Sequence, residues 1–196
     1  MAESPKIVTP LNPVGADAVI AQLQKVIAGT TYKDSQDNDL FWFADGHVFP
    51  LARRDETTGE PILFWKGKDY FKTIPQDTLN AFSFFYENDP RTSLGGSFVS
   101  YSFSLVVWFN QDHYVRGLDY RIREFLINSI TVALQQFLTE EDFDTITTFT
   151  TPESVYTDFT VQLENPKFKA PYDGFRISFT HSEQLDCGKP FVLPAQ

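Results

Sequence analysis

The sequence predicts an α+β fold, a mainly antiparallel sheet with an N-terminal helix and a long central helix packed on it, and extended arms at both ends. Three observations lead there. In residues 98–109 the odd positions Val99, Tyr101, Phe103, Leu105, Val107 and Phe109 are all apolar, while Ser100, Ser102 and Ser104 alternate with them; that period describes a strand with one buried and one wet face. After a turn at residues 110–117, Leu118, Ile122, Phe125, Leu126, Ile130, Ala133, Leu134 and Phe137 recur at helical spacing and form one apolar stripe. In residues 174–182, Phe175, Ile177 and Phe179 alternate with Arg176, Ser178 and Thr180, a last strand suited to lie beside the long one. A strand face and a helix stripe bury each other when the helix lies across the sheet.

The remaining elements follow in chain order. Pro5, Pro10 and Pro13, set among Ile7, Val8 and Leu11, make residues 1–15 an extended apolar arm that cannot be helical and suits a central strand poorly. A first helix covers about residues 16–28, with Val19, Ile20, Leu23, Val26 and Ile27 as its stripe and Gly29 as its stop. Residues 30–38 read as a polar loop. Residues 40–44 and 47–51 flank Asp45 and Gly46, a pair that favours a two-residue hairpin turn. A charged loop at residues 53–60 leads to a strand at residues 61–65, which extends the hairpin into a meander, and residues 70–74 are extended. Residues 76–86 fit either element, but the run Ala81-Phe82-Ser83-Phe84-Phe85-Tyr86 is dense in strand formers and favours a strand. Residues 143–149 and 154–163 are Thr-rich and β-branched and read as two shorter strands, or as a strand and a long loop. The body spans residues 16–187 of one domain, and a C-terminal arm at residues 188–196 carries Phe191, Val192 and Leu193 between Pro190 and Pro194.

Composition narrows the function. At 196 residues the chain can bury a full core without disulfides or metal. Phe occurs 20 times and Met once, which favours a stiff, strand-rich core. The single Cys187 rules out an internal disulfide and suits a reducing compartment. A net charge of -10 argues against a surface that grips phosphates. No Lys or Arg falls between Arg123 and Lys167, whereas Glu140, Glu141, Asp142 and Asp144 do. That cluster is either a solvated helix end, or an acidic face for a basic partner or for DNA that passes without being held. The N-terminus has no apolar run of signal-peptide type, and residues 125–138 are too short to span a bilayer. The expectation is a soluble protein made in the cytoplasm.

No residue pattern carries a reaction. The serines of residues 100–104 lie on one strand face and lack the G-x-S-x-G elbow. His47, His113 and His181 have no second His or Cys at metal-ligand spacing. The acidic cluster lacks the glycine and closing glutamate of a calcium loop, and Gly95-Gly96 precedes a strand, where a phosphate-cradling loop precedes a helix. Trp42, Trp65 and Trp108 sit in strand patterns, as core residues or as a stacking platform for sugars. No catalytic residue, cofactor or metal is expected. The two proline-bounded arms, through Ile7, Val8 and Leu11 and through Phe191, Val192 and Leu193, suggest segments that reach onto neighbouring copies, or else that pack on their own domain.

The opening phrase Ile7-Val8-Thr9-Pro10-Leu11-Asn12-Pro13-Val14-Gly15, the helix behind it, the hairpin, and the order of long strand, long helix and terminal strand at residues 172–182 together resemble small virion-assembly proteins of tailed phages. The likeness is one of layout and points to head-tail joining and tail-terminator proteins. It implies rings, commonly hexameric, that cap the tail tube or join it to the head connector. It also implies partners among the other head-tail and tail-tube proteins, a place in the virion after assembly in the host cytoplasm, and action by shape without catalysis. The chain is somewhat large for a tail terminator, so a tail-tube or other neck role belongs to the same expectation. The competing expectation is a monomeric carbohydrate-binding or accessory β-rich domain.

Overall fold

The computed structural model describes residues 6–8, 13, 15–34, 36–44, 46–55, 57, 61–65, 69–72, 79–88, 92–93, 98–114, 122–138, 145–155 and 171–184. In chain order the elements are β1 (Lys6–Ile7), α1 (Ala16–Ala28), β2 (Thr31–Lys33), β3 (Asp39–Phe41), β4 (His47–Leu51), β5 (Arg53–Arg54), β6 (Pro61–Trp65), β7 (Asp69–Lys72) and β8 (Ala81–Glu87). They continue with β9 (Thr92–Ser93), β10 (Phe98–Asn110), α2 (Gln111–Tyr114), α3 (Ile122–Phe137), β11 (Thr147–Phe149), α4 (Pro152–Val155) and β12 (Tyr172–Gln184). The fold is α+β with a mainly antiparallel sheet, as the residue pattern predicts.

The main sheet runs β1-β4-β8-β10-β12-β11, and β9 adds to β10 on the side of β8. Its spine is the antiparallel pair of β10 and β12, in register over all 13 residues of each strand. On the other side of β10, β8 pairs antiparallel from Phe103 to Phe109, and β4 then joins β8 in parallel. The ambiguous residues 76–86 thus hold a strand, as their density of aromatic residues favours.

Pleating sends alternate residues to opposite faces, and both faces are covered. On one face Phe85, Tyr101, Phe103, Leu105, Val107, Phe175 and Ile177 pack under α1 and α3. The helices supply Val19, Ile20, Leu23 and Ile27, and Leu126, Ile130 and Leu134, all at most 3% exposed. Each such side chain stabilises the fold by about 1.5–3 kcal/mol relative to exposure. On the opposite face Phe49, Phe82, Phe84, Val106 and Trp108 pack with Leu63 of β6 and Val155 of α4. The small sheet β5-β6-β7 and α4 therefore form a second layer.

This second layer corrects the expectation of a wet serine face. Ser104 is fully buried, and Val106 and Trp108 on the same face are buried too. The serines are tolerated because they satisfy one another. The Ser104 hydroxyl donates to Asn88 Oδ1 (2.8 Å) and lies 2.7 Å from Ser178 Oγ, its partner across the ladder, while Asn88 Nδ2 donates to Ser102 Oγ (3.1 Å).

The hairpin at Asp45 and Gly46 is a second correction. β3 pairs with β2, so part of the expected loop at residues 30–38 is strand, and β4 crosses into the main sheet in parallel with β1 and β8. Trp42 and Phe43, both fully buried, lie in the intervening turn. Two side chains of that size belong in the core, and an exposed hairpin would leave them in water. Trp42 is thus a turn residue rather than a strand residue; its carbonyl accepts a hydrogen bond from the Tyr114 hydroxyl. Gly46 serves close approach, because a Cβ there would collide with the Ala81 carbonyl oxygen and lie 2.9 Å from that of Phe43. The strand at residues 61–65 forms, but it pairs with β5 and β7 and leaves the expected meander unformed. Where residues 154–163 were expected to begin a strand, residues up to Val155 belong to the helical turn α4.

Candidate interaction surface

The exterior of α3 departs from the rest of the surface. Its inner stripe, Ile122, Leu126, Ile130 and Leu134, recurs every fourth residue and fixes which face looks outward. The N-terminal end is pinned by Arg123, whose guanidinium donates to Asp173 Oδ1 (3.2 Å) and to the Thr150 carbonyl (3.3 Å), while Gln111 Nε2 donates to Asp173 Oδ2 (2.9 Å). One carboxylate thus ties α3 and α2 to the start of β12. The outward face carries Glu124, Phe125 (48% exposed), Asn128, Val132 (53% exposed), Gln135 and Gln136. Among the side chains whose exposure is described, only Ile7 and Phe98 are comparably exposed large apolar ones. Between α3 and the C-terminal end of α1 runs a groove of about 640 Å³, bordered by Lys25, Val26 and Thr30 on one side and by Asn128, Val132 and Gln136 on the other.

The interior polar groups serve the fold. Arg176, 6% exposed, donates to the Tyr86 hydroxyl (2.7 Å) and stacks on the Phe149 ring at 4.1 Å, which ties β12 to β8 and to the edge strand β11. Gln24, fully buried on α1, donates through Nε2 to the carbonyls of Val8 (2.7 Å) and Val48 (2.9 Å), and so clamps the arm to β4. His47 stacks on Phe49, and burial, with a smaller contribution from the Lys6 ammonium, holds its pKa below the ordinary histidine value. Asp34 closes a surface turn. Its carboxylate accepts from Asn38 and Gln36, and these hydrogen bonds, chiefly those from Asn38, hold its pKa below the usual carboxylate value. Burial, then the Asp34 charge, raise the pKa of Tyr32. His113 packs on Tyr114 and His181 on Phe137. Among the described residues no three His, Cys, Asp or Glu side chains gather as metal ligands, and no helix is long and apolar enough to cross a membrane.

Of the arm residues, Ile7 lies in β1 and pairs with β4 of its own chain, 37% exposed at the sheet edge, and Val8 packs in the second core layer. Leu11, Phe191, Val192, Leu193, Glu140, Glu141, Asp142 and Asp144 lie outside the described residues. Sequence reasoning missed Gln24 and Arg176, single polar residues inside apolar patterns. It passed over the α3 exterior as well, although no Lys, Arg, Asp or Glu falls between Glu124 and Glu140 in a chain that is 21% charged. No protein-family model, curated protein or solved structure matches the chain.

Proposed function

We propose that the chain is an assembly subunit of a tailed-phage virion, a ring-forming tail terminator or head-tail connector that works through contacts with its own copies and with neighbouring tail or neck proteins. The observation that carries the reading is a sheet open at opposite ends. β1 forms one edge and β11 the other, and among the described residues nothing pairs outside either. β11 is short, three residues, but its edge is open to pairing: Thr147 and Thr148 are exposed, and no lysine or proline lies within the strand. Two different edges on one subunit support a head-to-tail contact, which closes into a ring when the rotation per subunit divides the circle. The order of long strand, long helix and terminal strand resembles that of head-tail joining and tail-terminator proteins and supports the same reading, although the hairpin that was part of the likeness is not formed; a tail-tube or other neck position fits it equally.

The competing carbohydrate-binding reading needs exposed aromatic platforms. Trp42 and Trp108 are 0% and 6% exposed, which removes them from such a platform. Light scattering of the purified protein over a range of concentrations, with electron micrographs of the largest species, tests the proposal. Rings are expected, or a monomer that forms rings once tail proteins are added. Lysines introduced by Thr147→Lys and Thr148→Lys abolish them. A strict monomer that joins no virion protein, and whose tryptophan fluorescence shifts with oligosaccharide, overturns the proposal.

A further inference from the structure

We infer that β1 is a pH-sensitive latch: protonation of His47 on β4 releases the N-terminal arm from the edge of the main sheet. The latch goes beyond the ring reading and works within a single copy. The arm is lightly held. β1 is two residues long, both exposed, at the rim of the sheet. Besides its ladder with β4, the Lys6 amide donates to the Gly46 carbonyl (3.2 Å), the Val8 amide donates to the Val48 carbonyl (3.0 Å), and the Val8 carbonyl accepts from Gln24 Nε2 (2.7 Å). The chain then turns into α1 at Gly15, where φ is 57° and ψ is -129°, a conformation that glycine enters and leaves at little cost. Gln24 also holds the Val48 carbonyl (2.9 Å), so when the arm leaves, β4 stays in the sheet and becomes its rim.

Register puts the trigger beside the arm. Lys6 pairs with His47 in parallel, so the two side chains leave the same face of the sheet at neighbouring positions, and like charges set opposite each other across a ladder repel. On its other side His47 pairs with Phe82, and its half-buried ring stacks on Phe49. Among the described residues, the charged groups on the elements packed against β4 are Lys6, Glu87 at the end of β8 far from Phe82, and Asp17 and Lys25 on α1, which packs on the Val48 side of the sheet. β4 and β6 carry none, and Asp45 precedes His47 in the chain. With the arm in place, burial first and the Lys6 ammonium second disfavour the imidazolium. Departure of β1 removes the ammonium and opens that side of the ring to water, so the released form takes the proton more readily. The latch therefore holds in full above about pH 6.5 and loosens as the pH falls below it.

The test is amide hydrogen exchange at pH 7.5 and pH 5.5, corrected for intrinsic rates, in the full chain bearing Thr147→Lys and Thr148→Lys, so that no ring covers the rim. Val8 is expected to exchange by local opening, at least about tenfold less protected than Leu105 in the middle of β10, and its protection should fall about threefold or more on acidification. His47→Gln should abolish the fall, and Lys6→Gln, which leaves the burial in place, should reduce it. The latch is refuted if Val8 is as well protected as Leu105, if its protection does not change with pH, or if the fall is as large in His47→Gln or in Lys6→Gln as in the parent. None of these outcomes involves a second copy, so rings formed by the chain without the edge lysines stand or fall separately.

Discussion

Substitution of Gln24 by glutamate tests the internal clamp most sharply, because it changes hydrogen-bonding capacity and charge at nearly constant volume. In the native fold both Nε2 protons go to backbone carbonyls, of Val8 and Val48, and Oε1 finds no hydrogen-bond partner among the described residues. A protonated carboxyl keeps one of the two donations, at a cost of about 1 kcal/mol for the other. An ionised carboxyl loses both and faces two carbonyl oxygens in a fully buried site. Burial of this degree raises a carboxyl pKa by about 3 units, which at 1.36 kcal/mol per unit is about 4 kcal/mol. The sign follows from proton uptake: the folded form binds the proton more tightly than the unfolded chain. The stability conferred by the proton is therefore complete below the unfolded pKa of about 4.3 and is lost as pH rises through the folded value. Thermal melts of wild type and Gln24→Glu, recorded from pH 4 to pH 8, should differ by about 2–4 °C in acid and by about 10–20 °C at pH 8. Hydrogen exchange should show the Val8 amide, which donates to the Val48 carbonyl at 3.0 Å, losing protection over the same interval. An offset independent of pH would refute the reasoning, since it would mean that the side chain reaches water.

Three further outcomes are expected. Tyr86→Phe removes a hydroxyl that accepts from the buried Arg176 guanidinium and should lower stability by about 1.5–3 kcal/mol in urea denaturation. Gly46→Ala drives a methyl group into the Ala81 carbonyl and should cost about 1–3 kcal/mol, with amide shifts concentrated in β4 and β8. His47 is held neutral by burial and by Lys6, so its pKa lies lower in the folded than in the unfolded state; stability is complete above about pH 6.5 and falls as pH drops below it. His47→Gln should flatten that part of the stability profile in melts between pH 8 and pH 5.

The elements that could be read from the residues are those with one face that answers throughout to one neighbour. On β10, β12 and the two long helices that face sets a repeating apolar pattern against the layer between sheet and helices, so period alone locates them. Even the arm, poor as a central strand because of its prolines, sits at an edge as β1. What failed depends on contacts distant in sequence. The turn signal at Asp45 and Gly46 was outweighed by the burial of Trp42 and Phe43, and Gly46 answers to the Ala81 carbonyl, a neighbour no local window contains. The serine face looked wet because the covering residues, Leu63 and Val155, come from elements that pack there only in three dimensions. The α3 exterior was legible in principle. Its signal is an absence of charge, which a search for reactive side chains passes over.

The pairing of β10 with β12 has a mechanical consequence. Each strand is 13 residues long, about 43 Å, yet β8 reaches only as far as Phe103. Residues 98–102 therefore continue past β8, held by the far end of β12 and, at Val99 and Ser100, by β9. This extension, about 16 Å long, is still roofed: Tyr101 is 2% exposed in the core beneath the helices, Val99 packs against it, and Phe137 of α3 meets the ring of His181, the partner of Tyr101 across the ladder. Its two strands run unbroken into the most heavily packed part of the molecule, where Phe103, Leu105, Ile177 and Phe179 anchor them. Whatever displaces Phe98, 46% exposed at the end of the strand, therefore moves Tyr101 and the floor beneath α1 and α3 with it.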